Sequence, residues 1–206
     1  MLHIWGRLSS LNVRKVVWAA QEVGVPFERT DAGLSYGIVK TPEYRALNPN
    51  REIPTVQDGD LVLWESNVIV RYLCAKHAHG SLYPEDLATR FDAERWMDWQ
   101  QTTFNRAAGT AFVQWFRTPA DKRDMAAIAR SVEATQPLLQ ILDAHLAQRP
   151  YMAGAHFTMA DIPLGCDVQR WLGLPEPHAE LPHLRRWIAA LLQRPAAKGA
   201  LDLPLS

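Results

Sequence analysis

Strand-like segments are confined to the first 78 of the 206 residues, and this uneven distribution limits which folds the chain can adopt. The clearest of them flank Asp58-Gly59-Asp60, with Thr55-Val56-Gln57 before it and Leu61-Val62-Leu63-Trp64 after it. An Asp-Gly pair between two apolar runs is a strong hairpin signal, because glycine adopts the positive φ that the tight turn requires. The sequence therefore predicts an antiparallel pair of strands, and with it a sheet in the N-terminal third of the chain.

Helix-like and strand-like patterns alternate through the rest of this segment. A helix is predicted over 12–23, because apolar residues recur on one face and Gly24-Val25-Pro26 supplies the usual stop. The other predicted elements are strands at 2–5 and 26–30, a helix capped by Thr41 and a helix capped by Ser66. The order β-α-β-α-β-β-α predicts an α/β domain over residues 1–78, with a small mixed sheet covered by helices.

Beyond Ala78 only helical patterns remain. Residues 79–86 have the composition of a linker, and residues 87–206 are predicted to form an all-helical domain. One long apolar stripe has helical spacing and consists of Met125, Ile128, Val132, Leu139, Leu142 and Leu146. Pro137 lies within that stripe and predicts a kink or a break. Residues 157–162 predict another helix start, with a capping box and a hydrophobic staple.

Charge and composition exclude several classes of protein. Lys+Arg and Asp+Glu both number 22, so the chain lacks the excess of cations with which proteins hold nucleic acid. No apolar stretch of 18 residues and no signal peptide are found, so we expect a cytoplasmic protein without a membrane partner. Cys74 and Cys166 are too few for a disulfide framework, and His77-x-His79 without a third ligand predicts no metal site.

An α/β domain with this strand order is similar to thioredoxin, yet the thioredoxin thiols are missing. The position after the first strand reads Leu8-Ser9-Ser10-Leu11-Asn12. Any thiol chemistry here must use a sulfur that a ligand brings. A serine hydroxyl at the positive end of a helix suits a bound thiolate, although Ser10 or Asn12 can equally be a plain helix cap.

Two further segments carry groups suited to a peptide-like ligand. Pro54 opens a strand, and a cis Ile53-Pro54 bond would turn the main chain of Ile53 toward a ligand. Glu65-Ser66 places an acid and a hydroxyl at a helix start. Glu65 can accept from an ammonium group and Ser66 can donate to a carboxylate, so together they can hold the two charged groups of an amino acid.

Taken together, these motifs resemble those of the cytosolic glutathione transferases over essentially the full chain. The resemblance rests on Ser10-Leu11-Asn12, on Asn48-Pro49 with Ile53-Pro54, on Glu65-Ser66 and on Phe157-Thr158-Met159-Ala160-Asp161. It is closest to bacterial members that use serine, of the theta-like or nu-like kind. It implies a thioredoxin-like N-terminal domain that binds glutathione and an all-α C-terminal domain that carries the electrophile pocket.

The family's site residues transfer to this chain as follows. The resemblance implies that Ser10 activates the glutathione sulfur, with Asn12 as partner or substitute. The remaining implied glutathione contacts are Ile53 and Pro54 for the cysteinyl part, Glu65 and Ser66 for the γ-glutamyl end, and Lys40 or Arg51 for the glycyl carboxylate. Glu52 departs from the family pattern, because a carboxylate just before Ile53-Pro54 would repel the glycyl carboxylate.

The resemblance also implies an electrophile pocket between the domains, and we expect Phe104, Phe112, Trp115 and Phe116 to line it. It implies a homodimer in which the helix from Ser66 packs with a long helix that contains Arg90, Arg95, Trp96 and Trp99. The leading function is conjugation of glutathione to a small hydrophobic electrophile. A glutathione-dependent disulfide reductase or peroxidase is favoured if Asn12 addresses the sulfur, and a non-catalytic binding module on the same fold is the third possibility.

Overall fold

The computed structural model describes residues 1–205, and its N-terminal part contains one four-stranded sheet. The strands are β1 (Leu2–Trp5), β2 (Phe27–Thr30), β3 (Thr55–Asp58) and β4 (Leu61–Trp64). Their spatial order is β2-β1-β3-β4, with β1 parallel to β2 and antiparallel to β3, and β3 antiparallel to β4. The predicted hairpin at Asp58-Gly59-Asp60 is confirmed, and Gly59 has the expected positive φ of 62°.

Three helices accompany the sheet, in the predicted order of elements. They are α1 (Leu11–Glu22), α2 (Pro42–Leu47) and α3 (Ser66–His77). Helix α1 ends as its sequence predicts, because Gly24 adopts a φ of 68° and Val25 donates its N–H to the carbonyl of Ala20 at 3.0 Å. Thr41 caps α2 by accepting from the N–H of Tyr44. The sheet and α1 share the core, where Ile4 and Trp18 are fully buried.

The remainder of the described chain is helical. Its elements are α4 (Leu87–Trp99), a π-helical segment (Gln100–Phe104), α5 (Asn105–Phe116), α6 (Met125–Ala147), α7 (Asp161–Leu172) and α8 (Pro182–Leu192). Helix α3 therefore ends at His77 and α4 begins at Leu87, on either side of the predicted linker. Within residues 1–205, no helix has both the length and the apolar character needed to cross a membrane.

One local expectation is wrong, and of the two outcomes predicted at Pro137 the break is not found. Ser66 does not cap α3, because the helix begins at Ser66 itself and Glu65 occupies the cap position. Pro137 does not break α6, which runs continuously for 23 residues. A proline costs such a helix one main-chain hydrogen bond, and burial of Leu139, Leu142 and Leu146 on the same helix outweighs that loss.

The predicted capping signal at residues 157–162 stabilises the start of α7. The N–H of Thr158 donates to the Asp161 carboxylate at 2.8 Å, as in a capping box. That carboxylate also accepts from the N–H of Met152 and from the indole N–H of Trp187, each at 2.9 Å. Asp161 is fully buried, so it holds three separate segments of the helical part together.

Candidate functional site

Two neighbouring cavities contain most of the predicted site residues. The larger has a volume of about 640 Å³ and is bounded by Ser10, Asn12 and Phe112. The smaller has a volume of about 430 Å³ and is lined by Asn12, Ile53, Pro54, Glu65 and Ser66, among others. We call them the Ser10 cavity and the Glu65 cavity. Asn12 belongs to both linings, so the two cavities meet at the start of α1.

Ser10 occupies the N-cap position of α1 in an extended conformation, with φ −91° and ψ 123°. Its carbonyl accepts from the N–H groups of Val13 and Arg14, each at 3.1 Å. Among residues 1–205, its hydroxyl makes no capping hydrogen bond to α1. Ser10 is therefore a cap by its position only, and its hydroxyl is left to interact with a ligand in the Ser10 cavity.

The turn that brings Ser10 to the cavity starts at a glycine. Gly6 has a φ of 152°, which favours glycine, and a Cβ there would lie 2.4 Å from a methyl group of Val13. Its N–H donates to the carbonyl of Thr30 at 2.9 Å and its own carbonyl accepts from Arg29 at 2.7 Å. The chain thus leaves β1 in close contact with α1, which fixes where the loop to Ser10 begins.

Asn12 is the second residue of α1 and forms part of the wall between the cavities. Its side-chain carbonyl oxygen is buried and has no hydrogen-bond partner among residues 1–205. A buried polar atom without a partner costs about 1–3 kcal/mol, so such atoms are rare unless a ligand completes them. The Asn12 amide is therefore a candidate ligand contact at the boundary of the two cavities.

Ile53 presents main-chain groups to the Glu65 cavity. The predicted cis bond between Ile53 and Pro54 is confirmed. Within the described part of the chain, neither the N–H nor the C=O of Ile53 takes part in a main-chain hydrogen bond. Tyr44 and Asn48 fix the adjoining segment, since their side chains donate to the carbonyl of Glu52 at 2.7 and 3.0 Å. The segment can therefore offer one donor and one acceptor to an extended peptide.

Glu65 and Ser66 also line this cavity. Glu65 adopts a φ of 70°, a strained conformation for a residue with a side chain, and such strain is frequent at ligand sites. Ser66 is the first residue of α3, where the main-chain N–H groups have no partner within the helix. An anion is favoured at this helix start, and the carboxylate of Glu65 beside it favours a cation.

Sequence reasoning missed Gln101, which also lines the Glu65 cavity. Gln101 lies in the π-helical segment between α4 and α5, and its side-chain carbonyl oxygen is buried without a partner among residues 1–205. A π-helical segment is determined by packing, and no residue type in 100–104 predicts it. Asn50 and Trp64 of the same lining were missed as well, although each is next to or near a predicted site residue.

The two predicted partners of a glycyl carboxylate lie outside the linings of both cavities. Lys40 and Arg51 are exposed, and Arg51 has a φ of 58° in the loop before Ile53. Glu52 lines the Glu65 cavity, as its sequence position suggested. The cation near this segment is Arg7, because a Cβ built on Gly33 would touch both the Arg7 guanidinium, at 2.6 Å, and the Ile53 side chain, at 3.3 Å.

The four aromatic residues that were predicted to line the electrophile pocket differ in where the structure places them. Phe112 lines the Ser10 cavity and is stacked on Phe116 at 5.6 Å between ring centroids. Phe104 is fully buried and packs against Trp99, so its assignment to the pocket is wrong. Trp115 and Phe116 are not part of this lining, and the indole of Trp115 donates to Glu176. The helical stripe predicted aromatic residues near the site but could not decide which way each one points.

Neither cysteine lines the Ser10 cavity or the Glu65 cavity. Cys74 and Cys166 are unpaired, and burial raises the pKa of each thiol to about 12. Within 1–205, no three metal-binding side chains are grouped. A sulfur nucleophile at Ser10 and Asn12 would therefore have to come from a bound ligand.

The chain is similar to known proteins over its whole length. The family model described as the N-terminal domain of glutathione S-transferase matches residues 1–75, and that described as the C-terminal domain matches residues 125–190. The glutathione S-transferase GstB of Escherichia coli K12 is 36% identical over 208 positions, which cover 100% of both chains. Glutathione S-transferase 3 of Zea mays is 32% identical, covering 98% of this chain and 96% of its own.

A solved structure is similar over the whole length. It is the theta class glutathione S-transferase from the citrus canker pathogen Xanthomonas axonopodis pv. citri with glutathione bound. It superimposes with a TM-score of 0.96 at 47% identity, covering 100% of this chain and 99% of that one. The apo form of the same protein superimposes with a TM-score of 0.87.

Proposed function

Because this chain belongs to the glutathione S-transferase family, we propose that it binds glutathione in the Glu65 cavity and transfers it to a small electrophile in the Ser10 cavity. The observation that carries the proposal is the meeting of the two cavities at Asn12, next to Ser10. A ligand that fills the Glu65 cavity can extend its thiol to that boundary, and a second molecule in the Ser10 cavity would face it.

The proposed orientation of glutathione uses the charged and polar groups that line the cavity. The γ-glutamyl ammonium pairs with Glu65, and the γ-glutamyl carboxylate accepts from the hydroxyl and N–H of Ser66. The cysteinyl residue pairs with the unbonded main chain of Ile53. The glycyl carboxylate then lies near Glu52, and the exposed side chain of Lys40 or Arg51 would have to reach this cavity to offset the repulsion.

The chemical step requires the thiolate. A free thiol has a pKa of about 8.5, and lowering that pKa by two units takes about 2.7 kcal/mol. The Ser10 hydroxyl, which makes no cap bond, and the N–H groups at the start of α1 can supply that stabilisation. The thiol proton passes to solvent. The sulfur attacks the electrophilic carbon, a C–S bond forms, and a leaving group such as chloride departs with the bonding electron pair.

A second candidate function is glutathione-dependent disulfide reduction. Asn12 lines both cavities, whereas Ser10 lines only the larger one. If the Asn12 amide rather than the Ser10 hydroxyl contacts the sulfur, the site resembles that of the nu-like members of the family. Thiolate attack would then be on a disulfide sulfur of the substrate, which gives a mixed disulfide with glutathione and releases a thiolate.

We further propose a cytoplasmic homodimer that associates through α3 and α4. Val68 on α3 is 44% exposed and Phe91 on α4 is 65% exposed, although both are apolar. Arg71 of α3 forms ion pairs with Glu94 and Asp98 of α4, so the two helices present one continuous surface. Trp96 points the other way, since it is only 8% exposed and its ring lies 4.5 Å from that of His145.

The test is calorimetric titration of glutathione into purified protein, followed by two activity assays. Wild type should bind glutathione, and Glu65→Gln should bind at least about tenfold more weakly, the value of one charged hydrogen bond. Asp60→Asn, an exposed acid in the β3–β4 turn, is the control and should bind as wild type does. Conjugation of 1-chloro-2,4-dinitrobenzene supports the first function, and reduction of hydroxyethyl disulfide alone supports the second. Folded protein that binds no glutathione would contradict both.

A further inference from the structure

The lining of the Ser10 cavity is strongly cationic. It includes four arginines, namely Arg7, Arg106, Arg117 and Arg170, and no carboxylate is found among the described residues of the lining. The whole chain is electrically neutral, so this is a local concentration of charge. The four residues come from three distant segments: the loop after β1, helix α5 with its C-terminal cap, and helix α7.

Only one of these charges is matched by an acid. Arg170 is 11% exposed and pairs with Asp167 at 2.6 Å. Arg7, Arg106 and Arg117 form no ion pair within the part of the chain that the structure describes. Arg117 donates one hydrogen bond, to the carbonyl of Ser9 at 2.8 Å, which keeps its guanidinium next to the loop that carries Ser10.

Arg7 adds a second, independent observation. Its Nε is buried and lacks a hydrogen-bond partner among residues 1–205. Burial and the charge of Arg117 lower the pKa of Arg7, while the charge of Glu52 acts in the opposite direction. Cations of one cavity lining and a buried donor without a partner are stabilised when an anion binds near them.

The aromatic ring of Phe112 in the cavity lining lies against two of these cations. The ring of Phe112 has the Arg170 guanidinium 4.9 Å from its centroid and the Arg117 guanidinium 5.6 Å from it. A flat or short carbon skeleton can pack on this ring while its charged group reaches the arginines. A purely apolar electrophile would leave the cations without a partner and would have to displace their water.

We propose that the electrophile of this enzyme carries a negatively charged group, a carboxylate or an equivalent anion, which Arg117 and Arg106 bind in the Ser10 cavity. This inference rests on the proposed function and narrows its substrate class from small hydrophobic electrophiles to small anionic ones. The anion fixes the electrophile with its reactive carbon toward Ser10 and Asn12. The arginines are positioning residues, because they contact the substrate away from the reacting atoms.

A pair of substrates that differ in charge tests this directly. 4-Chloro-3,5-dinitrobenzoate and its methyl ester have the same ring and lose the same chloride. Each kcat/KM, measured at saturating glutathione, is divided by the uncatalysed rate constant of the same compound with glutathione. Wild type should prefer the carboxylate at least about tenfold on this normalised scale, the value of one charge-assisted hydrogen bond. Equal values for the two compounds would overturn the proposal.

Variants separate the arginines' role from general damage. The double variant Arg106→Gln/Arg117→Gln should lose at least about tenfold with the carboxylate, mostly in KM, and stay within about twofold with the ester. The control Arg130→Gln removes one positive charge from a position on α6 that is 68% exposed and does not line the cavity. It should leave both substrates unchanged. A loss of equal size for ester and carboxylate would show a structural role and contradict the proposal.

Binding measurements make the inference independent of turnover. The unreactive 3,5-dinitrobenzoate should bind glutathione-loaded wild type by calorimetry and should bind the double variant at least about tenfold more weakly. If the variant instead binds glutathione itself more weakly, the arginines serve the glycyl carboxylate and the proposal is wrong. Protein that binds the anion through these arginines but conjugates neither compound would refute the proposed activity and support the anionic specificity.

Discussion

The ammonium group of Lys15 lies 3.1 Å from the side-chain carbonyl oxygen of Gln100, and both side chains are fully buried. The same Gln100 oxygen accepts from the amide of Asn67 at 2.9 Å, while the Gln100 amide donates to Asp167. The contact therefore joins α1, α3, the π-helical segment and α7. Asn67 follows Ser66 and Gln100 precedes Gln101, so this buried network positions two walls of the Glu65 cavity.

The Lys15 contact predicts a pH dependence of stability. Burial lowers the pKa of Lys15 to about 8, and Asp167 opposes that shift. The unfolded chain keeps its proton up to about 10.4, so between these values the unfolded state binds more protons than the folded one. The free energy of unfolding of wild type, relative to Lys15→Met, should therefore rise from pH 8 to pH 10, by at most about 1.4 kcal/mol per pH unit.

Urea denaturation at a series of pH values checks this expectation. Lys122→Met, an exposed lysine on the surface, is the control and should run parallel to wild type across the whole range. Wild-type and Lys15→Met curves that stay parallel from pH 8 to pH 10 would contradict the lowered pKa.

Ser10 and Asn12 can be separated by the titration of bound glutathione. Because the Ser10 hydroxyl makes no cap bond, Ser10→Ala should raise the pKa of the bound thiol and lower conjugation at least about tenfold. Asn12→Ala should have a smaller effect. The measurement is thiolate absorbance against pH with glutathione bound, with Ser9→Ala, a neighbour in the same cavity, as control. A shift in Asn12→Ala without one in Ser10→Ala would move disulfide reduction to first place.

Asp161 predicts a large stability effect far from the site. Burial raises its pKa to about 6, although hydrogen bonds from Met152, Thr158 and Trp187 act in the opposite direction. Asp161→Ala would leave three buried N–H donors unpaired, at about 1–3 kcal/mol each, so the free energy of unfolding should fall by at least about 3 kcal/mol. Asp161→Asn keeps one acceptor and should lose less. Chemical denaturation gives the free energy of unfolding of both variants. Equal losses would show that the hydrogen bonds accepted by Asp161 do not contribute to stability.

Phe91 predicts how the chain associates. Its ring is 65% exposed on α4, one helical turn from Leu87, which is 61% exposed, and neighbouring exposed apolar side chains mark an interaction surface. Phe91→Glu should convert the proposed dimer to a monomer at micromolar concentration, as measured by sedimentation velocity. Ile141→Glu, at a 48% exposed position on α6, should leave association unchanged. A wild-type protein that sediments only as a monomer would contradict the proposal.

Local sequence determined most of the secondary structure. The hairpin at Asp58-Gly59 and the end of α1 at Gly24 follow from glycines that adopt a positive φ, and these requirements hold whatever packs around them. Ser66 shows the limit of such reasoning, because a serine at a helix start fits either the cap or the first turn. In this structure Glu65 occupies the cap position with a strained φ, so Ser66 is the first residue of the helix.

The sequence by itself also indicated the residues of the proposed glutathione site. Asn12, Ile53, Glu65 and Ser66 lie in short motifs whose spacing resembles one family, and the structure places all four around one cavity. Each motif acts through main chain or through a helix start, so its chemistry is largely local. That is why residues from separate segments could be assigned before their distances were known.

Only the tertiary structure decided the character of the second cavity. Phe104 and Phe112 belong to one helical pattern, yet Phe104 is fully buried and Phe112 lines the cavity. The arginines at 7, 106, 117 and 170 share no sequence motif, and the net charge of zero gives no indication that they are grouped. Helical periodicity fixes which residues share a face, but which neighbour covers that face depends on contacts between residues far apart in the chain. Concentration of charge in one cavity is a property of those contacts alone.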